Sequence, residues 1–306
     1  MTLQLTQTDV VRLTSDPSPE VRAEMAAKVA AQFDQGSFGV VERRIAEDIF
    51  RSLLQDVEVR VREALSSQLK SSPDLPHDVA LTLAHDVESV ALPILEFCDV
   101  LSDEDLIEIV RGQSAVKQVA IAQRSEVSVH VSDALIDTGN ERAVIRLVQN
   151  EGARLDERSF GRVLDGYESS QAVTSAMATR TDLPAAVSEQ LISVVSQHLQ
   201  SFLVKQHKLP AEMVRNLVFQ ARERATAGLL SDGCASEAEV EQLIAQLEAK
   251  GRLSPTLALE ALSRGDLSFF ETAMARLAGI PVENARILIH DQGPLGVQSI
   301  LKAANC

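Results

Sequence analysis

Residues 16–30 read DPSPEVRAEMAAKVA, and residues 56–70, at an offset of 40, read DVEVRVREALSSQLK. Both stretches place apolar residues four apart, the spacing that puts side chains on one face of an α-helix. A third copy, DVESVALPILEFCD, begins at Asp86, and SAVKQVAIAQR from Ser114 is a fourth candidate. Repeats of roughly 30 to 40 residues are typical of stacked helix pairs such as HEAT arrays. The residues predicted to face inward are Val21, Met25, Val29, Val61, Leu65, Leu69, Val90, Ile94 and Cys98.

Two segments are open to a second interpretation. VEVRVRE (residues 57–63) and VSVHVSD (residues 127–133) alternate apolar and polar residues, as a half-buried strand does. Both run without a turn signal into helix-forming residues, so we predict a helix at each. The alternative is a short hairpin that interrupts the array.

Composition and helix-start signals point the same way. The chain is 45% hydrophobic and has no Trp and one Tyr, which favours cores of small and aliphatic side chains between helices. Ser102, Asp156 and Ser254 stand where an N-cap side chain can accept a hydrogen bond from a free N–H group. We therefore predict an all-α fold, a HEAT-like α-solenoid of stacked helix pairs with a smaller helical C-terminal unit.

The clearest boundary signal is LSDGCAS at residues 230–236, which separates two long amphipathic patterns. We predict a HEAT-like helical repeat array over residues 1–230 and a C-terminal helical unit over residues 235–306. The net charge of −15 is spread over both parts: residues 1–231 carry −11 and residues 232–306 carry −4.

The charge also bears on partners. An acidic protein repels polyanions, so we do not expect nucleic acid as a partner. The first residues lack the basic and apolar regions of a signal peptide, and no run of 18 apolar residues occurs, so we expect no membrane association and a cytoplasmic location. Cys98, Cys234 and Cys306 form no C-x-x-C pair, and His77 and His85 are eight residues apart, so we expect no cofactor and no metal site.

Two stretches carry a family resemblance. Residues 74–111 contain the pattern V-A-L-P-I-L followed by L-S-D-E-D-L, and residues 265–289 read GDLSFFETAMARLAGIPVENARILI. On these stretches the chain resembles an alphaproteobacterial group catalogued as domain-of-unknown-function family 2336, with a likeness over nearly the whole chain. The resemblance implies a helical, HEAT-like fold in the bacterial cytoplasm. It implies no reaction, ligand or catalytic residue.

The most suggestive segment for a contact site is RGDLSFFE at residues 264–271. Gly265 can end one helix and the next residue can cap another, while two adjacent Phe residues do not both point inward from a one-sided helix. One Phe then meets a partner, a second subunit or a ligand; the favoured alternative is that both are buried. Arginines nearby can bind phosphate through paired hydrogen bonds if they converge. The candidate contact residues are Arg264, Asp266, Phe269, Phe270, Arg276 and Arg286.

No nucleophile elbow, P-loop or dinucleotide-binding glycine motif is present, so we do not expect an enzyme. The leading hypothesis is a cytoplasmic scaffold or regulatory protein that binds another protein through its helical-repeat surface, since stacked helix pairs make extended binding surfaces. The alternative is a sensor that binds a nucleotide or other anion through the C-terminal unit. A HEAT-like nucleic-acid-processing enzyme is the third hypothesis, and a homo-oligomer is compatible with all three.

Overall fold

The computed structural model describes residues 16, 18–34, 39–112, 114–229, 237–291 and 294–304. Within these residues the chain forms eighteen α-helices and no β-strand, which confirms the all-α prediction. The chain divides into two compact units, Met1–Val163 and Leu164–Cys306. The predicted boundary segment, residues 230–236, lies outside the described residues, so the division there stays a prediction.

Nine described helices lie within the first unit, and the boundary between the units falls inside the tenth. They are α1 (Pro19–Asp34), α2 (Val40–Leu53), α3 (Val59–Leu69), α4 (His77–His85), α5 (Glu88–Phe97), α6 (Asp103–Gly112), α7 (Ala115–Ala122), α8 (Val129–Asp137), α9 (Glu141–Gln149) and α10 (Glu157–Gly166).

The helices of the first unit pack in two rows. In one row α1 contacts α3, α3 contacts α5, α5 contacts α7 and α7 contacts α9; in the other α4 contacts α6 and α6 contacts α8. Neighbours along the chain, such as α4 with α5 and α6 with α7, also contact each other. Each helix of the first row therefore packs against the helix two places further along.

All nine residues predicted to face inward are buried, which confirms that these positions face the core. Met25 and Leu65 lie at matching positions, and both are among the core residues. Moving an aliphatic side chain fully out of water contributes about 1.5–3 kcal/mol to stability. Burial of this shared face is therefore the main contribution that holds the row together.

Ion pairs connect successive segments of the row. Arg22 Nε donates to Asp56 Oδ2 at 2.7 Å, and the aligned Arg62 donates through Nη2 to Asp86 Oδ1 at 2.9 Å. Arg62 Nη1 also donates to the backbone carbonyl of Asp56 at 2.6 Å. The hydrogen bond from Arg22 lowers the pKa of Asp56. Burial alone would raise the pKa of Asp86, but the hydrogen bonds from Arg62 and from the following backbone N–H outweigh it and lower that pKa.

Two later side chains complete the carboxyl ends of earlier helices. Arg124, just after α7, donates from Nη1 to the carbonyl of Leu95 and from Nη2 to the carbonyl of Cys98, each at 2.8 Å. Asn150, just after α9, donates to the carbonyls of Ala122 at 2.9 Å and Arg124 at 2.7 Å. The last carbonyls of a helix have no partner within the helix, so these donors satisfy them. Burial lowers the pKa of the Arg124 guanidinium. Its positive charge lies at the carboxyl end of α5, where the helix dipole is negative.

The two alternating segments are helical. Residues 57–63 lead into α3 and residues 127–133 lead into α8, so the helix prediction is confirmed at both. The hairpin of the alternative interpretation does not form at Val127, which instead makes an isolated parallel bridge with Ala153. The Val127 N–H donates to the Gly152 carbonyl at 3.2 Å, and the Arg154 N–H donates to the Val127 carbonyl at 2.9 Å.

The predicted N-caps also form. Ser102 Oγ accepts from the Asp105 N–H at 3.3 Å, and Asp105 Oδ2 accepts in return from the Ser102 N–H at 2.8 Å. Asp156 Oδ1 accepts from the Ser159 N–H at 2.7 Å at the start of α10. Such caps contribute about 1 kcal/mol each, and they explain why so many short helices begin sharply.

The second unit contains eight further helices. They are α11 (Gln171–Ala178), α12 (Ala185–His207), α13 (Ala211–Gly228), α14 (Glu237–Ala249), α15 (Pro255–Ser263), α16 (Leu267–Ala278), α17 (Val282–His290) and α18 (Pro294–Ala303).

The core of the second unit surrounds α16, which contacts α14, α15, α17 and α18. Every residue from Phe269 to Ala275 is buried, so this helix is enclosed on several sides rather than one. Three acidic groups are also buried among the described residues of this unit, namely Glu189, Glu223 and Glu271. Glu189 pairs with Arg252, and Glu223 accepts from Ser254 Oγ at 3.1 Å. Burial lowers the pKa of Arg252 and raises the pKa of Glu223.

Candidate functional site

The two adjacent phenylalanines of the predicted contact segment are both buried. Phe269 is 1% exposed and Phe270 is 4% exposed, and both belong to the hydrophobic core of the second unit. Neither ring is therefore exposed to a partner in this structure, which departs from the first interpretation and agrees with the favoured alternative that both rings are buried. The reason is that α16 has helix neighbours on several sides. Asp266 caps this helix, accepting from the Phe269 N–H at 2.9 Å.

The three predicted arginines are each paired with carboxylates of this unit. Arg264 Nε lies 3.4 Å from Glu260, and Arg276 Nη1 lies 3.8 Å from Glu248. Arg286 donates to Glu271 at 2.9 Å and pairs with a second carboxylate. No two of these arginines share a carboxylate, so nothing here gathers them into one anion site.

A small charged cluster forms around Glu271. This side chain is largely buried, its Oε2 accepts from Arg286 Nε, and His290 Nε2 lies 2.6 Å from its Oε1. Arg286 also pairs with Glu237 at the start of α14. The cluster joins α16 to α17 and to α14. Its polar atoms are directed at one another, so we assign it a structural role.

Across the described residues, no group of three His, Cys, Asp or Glu side chains is placed to hold a metal ion. Within the same residues, none of the helices combines the length and the apolar character needed to cross a bilayer. His77, one of the histidines closest to a ligand-like spacing, lies 2.7 Å from Asp105 Oδ2, which links α4 to α6.

Two grooves are large enough for a ligand or a partner side chain. One, of about 590 Å³ in the first unit, is lined by Arg62, His85 and Asp86 among others, and its arginine and aspartate neutralise each other. The other, of about 600 Å³ in the second unit, lies between α11 and α12. Its walls are Ser169, Gln171, Thr174, Ser175 and Ala178 on one side and Val195, His198, Leu199, Ser201 and Phe202 on the other.

The second groove adjoins a helical hairpin with exposed apolar side chains. Helices α12 and α13 contact each other and are joined by residues 208–210. Phe202 is 53% exposed, Met213 63% and Leu217 59%. Helices that leave several large apolar side chains exposed are candidates for interaction surfaces. We call the following residues the hairpin surface: Val195, Leu199 and Phe202 on α12, and Met213 and Leu217 on α13.

The spacing of the hairpin surface follows the helix period. Val195, Leu199 and Phe202 stand at i, i+4 and i+7, and Met213 and Leu217 at i and i+4, so each set forms one stripe. The Phe202 ring stacks edge-on against His207 with centroids 5.4 Å apart, which restrains its position. A second exposed stripe occurs on α2, but it adjoins residues 35–38, which lie outside the described part of the chain.

The hairpin also differs from the rest of the chain in charge. Residues 190–228 hold five Lys and Arg against two Asp and Glu, a net +3, while the remaining residues hold 24 against 42, a net −18. Counting over residues 1–231 conceals this reversal, so the sequence contained a signal that an average over the whole array removes. Four of the five cations are exposed and form no ion pair with any described residue: Lys205, Lys208, Arg215 and Arg224.

Lys208 at the hairpin tip has an unfavourable backbone conformation. It ends α12 in the left-handed region, with φ 50° and ψ 31°, and it is the one non-glycine residue with positive φ in the described part of the chain. Glycine is the usual residue there because an L side chain costs about 1–2 kcal/mol in this conformation.

A family model described as "Uncharacterised protein conserved in bacteria (DUF2336)" matches residues 90–305. The match covers the candidate contact segment and the whole hairpin, and it begins within the third repeat segment rather than near the start of the chain. No curated protein and no solved structure matches the chain.

Proposed function

We propose that this chain, which belongs to the bacterial DUF2336 family, is a cytoplasmic, non-enzymatic scaffold or regulatory protein. It is built from HEAT-like helix pairs and binds another protein through its helix surfaces. The observation that carries this proposal is the hairpin surface, where five large apolar side chains lie exposed at helical spacing. Such stripes recur where an amphipathic helix of a partner binds.

The HEAT-like part of the proposal is supported by the first unit. Its helices pack in two rows. At matching positions an arginine pairs with the first aspartate of the next segment, as Arg22 does with Asp56 and Arg62 with Asp86. Arrays of this kind present many helix faces on a rigid frame, which suits protein binding more than chemistry.

The test is co-purification from a lysate of the source bacterium. A tagged wild-type chain is compared with a variant that carries Met213→Ser and Leu217→Ser, which removes two exposed apolar side chains without touching the core. We expect the wild type to retain the same protein in repeated experiments and the variant to lose it.

The matched control carries Ile287→Ser and Leu295→Ser, two equally exposed apolar residues on α17 and α18. The control should retain the partner. Absence of any selectively retained protein, or equal loss in the variant and the control, contradicts binding through the hairpin surface.

A further inference from the structure

The groove between α11 and α12 offers an apolar wall to a partner helix. Its α12 wall is the stripe of Val195, Leu199 and Phe202, and a groove between two helices accepts the apolar ridge of a third. Lys205 follows Phe202 by three residues, so it lies on the same helix face at the end of the stripe. The stripe from Val195 to Lys205 spans about 15 Å, or roughly three helical turns.

The α13 stripe ends in a cation in the same way. Arg224 follows Leu217 by seven residues, which is two helical turns, so it extends the line of Met213 and Leu217. Both stripes thus combine large apolar side chains with a positive charge that no described carboxylate neutralises. Besides Glu212, the hairpin carries two acidic groups, Glu189 and Glu223, and both are buried away from the surface.

Resting on the proposed function, we propose that the hairpin surface and the α11–α12 groove bind an acidic amphipathic α-helix of a protein partner. The apolar ridge of that helix lies along Val195, Leu199 and Phe202, and its Glu or Asp side chains lie opposite Lys205 and Lys208. Charge complementarity selects this occupant, because the hairpin is positive in a chain that is otherwise strongly negative.

Other occupants fit the surface less well. A second copy of the hairpin would bring like charges together, and the net −18 of the remaining residues repels both nucleic acid and an anionic membrane. The phosphates of a nucleic acid also leave exposed leucine, methionine and phenylalanine side chains without apolar partners. A short acidic helix meets both features at once, since it carries few charges and an apolar face.

The experiment uses two synthetic peptides of about fourteen residues, four helical turns, against the full-length chain. One peptide has Leu on one helix face and Glu on the other, and the second has Lys in place of every Glu. Binding is followed by fluorescence anisotropy. We expect the Glu peptide to bind at least about tenfold more tightly than the Lys peptide. Equal affinities, a preference for the Lys peptide, or no binding of either overturns the proposal.

Charge-reversal variants place the peptide on the hairpin. Lys205→Glu combined with Lys208→Glu should weaken binding of the Glu peptide about tenfold, as two exposed attractive pairs become repulsive. Lys302→Glu on α18, which also changes an exposed lysine, should change the affinity by less than about twofold. Helix content by circular dichroism shows that each variant is folded. A loss of equal size in both variants contradicts binding at the hairpin.

The same variants test the competing occupants. The acidic-helix proposal is overturned if light scattering shows a wild-type dimer that the combined Lys205→Glu and Lys208→Glu variant alters. It is also overturned if the wild type binds anionic phospholipid vesicles or duplex DNA and this variant does not. The outcome also separates the two proposals. If Met213→Ser with Leu217→Ser loses a lysate partner while the peptides show no charge preference, the proposed function stands and this inference fails.

Discussion

Arg62 and Asp86 form a two-pronged hydrogen-bonded ion pair, with Nη2 to Oδ1 at 2.9 Å, that joins one helix segment to the next. The same relationship holds between Arg22 and Asp56 one segment earlier. Each arginine occupies the seventh position of its aligned segment and each aspartate the first position of the following one. The aligned segments therefore share a contact as well as an apolar face, although the two arginines are 40 residues apart and the two aspartates 30.

Replacing Asp86 should destabilise the first unit measurably. Asp86→Ala removes the carboxylate partner of Arg62 and the acceptor for the Val87 N–H at 2.7 Å, and it leaves a largely buried guanidinium with its hydrogen bond to the Asp56 carbonyl but no carboxylate. We expect a loss of about 2–3 kcal/mol in the free energy of unfolding, measured by urea denaturation. Asp99→Ala is the control: Asp99 is exposed and lies 3.7 Å from Arg124, so its loss should cost less than about 0.5 kcal/mol. Equal costs for both variants would show that the pair contributes nothing special.

Acid should weaken the same contacts. The pKa values of Asp56 and Asp86 are lowered in the folded state, the first chiefly by its hydrogen bond from Arg22. A carboxyl with a lowered folded pKa stabilises the fold above its unfolded pKa, and the stabilisation is lost as pH falls through the folded value. We expect the urea concentration at the unfolding midpoint to fall as the pH is lowered below about 4. The decline should be shallower in a variant with Asp56→Asn and Asp86→Asn, and an unchanged slope there contradicts the assignment.

The buried pair of Glu189 and Arg252 should respond differently to single and double substitution. Glu189→Ala leaves Arg252 buried without its carboxylate, and burial already lowers the pKa of that arginine. We expect a loss of about 3–5 kcal/mol in thermal or urea unfolding. Glu189→Met combined with Arg252→Met should cost less than Glu189→Ala, because no unpaired charge remains. A double variant that is less stable than Glu189→Ala would instead show that the ion pair contributes more to stability than its desolvation costs.

Lys208→Gly should stabilise the chain and impair binding. Glycine removes the strain of a left-handed lysine, so we expect a gain of about 0.5–1 kcal/mol in the free energy of unfolding. The Glu peptide should nevertheless bind less tightly, because one of the charges opposite it is lost. Lys205→Gly is the matched control: it removes an equal charge but places glycine in a helix, and should destabilise by about 0.5–1 kcal/mol. Destabilisation by both substitutions contradicts the strain at Lys208.

Nucleotides should not stabilise the second unit. Arg264, Arg276 and Arg286 already pair with different carboxylates, so a phosphate would have to displace them one at a time. A ligand present at a hundred times its dissociation constant adds about 2.7 kcal/mol to stability. We expect no thermal shift with millimolar nucleotides. A clear shift that Arg286→Met abolishes would restore the sensor hypothesis.

Much of the fold of the first unit could be predicted from the sequence. The i, i+4, i+8 spacing placed Val21, Met25 and Val29 in the core, and the N-cap chemistry located the starts of α6 and α10. These features are local, because they depend on residues within one or two turns of the same helix. The alternating segment at residues 127–133 also became helix, as its helix-forming neighbours indicated.

The contact site could not be predicted in the same way. Phe270 and Phe202 look alike in sequence, yet the first is enclosed because four helices surround α16, and the second is exposed at the edge of a groove. Exposure depends on which helices are neighbours in space, which periodicity does not encode. Charge does leave a local trace, since residues 190–228 are positive, and a window of about that width would have pointed to the hairpin.

The donation of Arg124 to the carbonyls of Leu95 and Cys98 has a consequence for synthesis on the ribosome. The carboxyl end of α5 stays incomplete until a residue 26 to 29 positions later has been translated, and the end of α7 awaits Asn150 by a similar interval. Each newly emerging segment therefore finishes the one before it. A chain that stops before Arg124 would leave the last carbonyls of α5 without these donors.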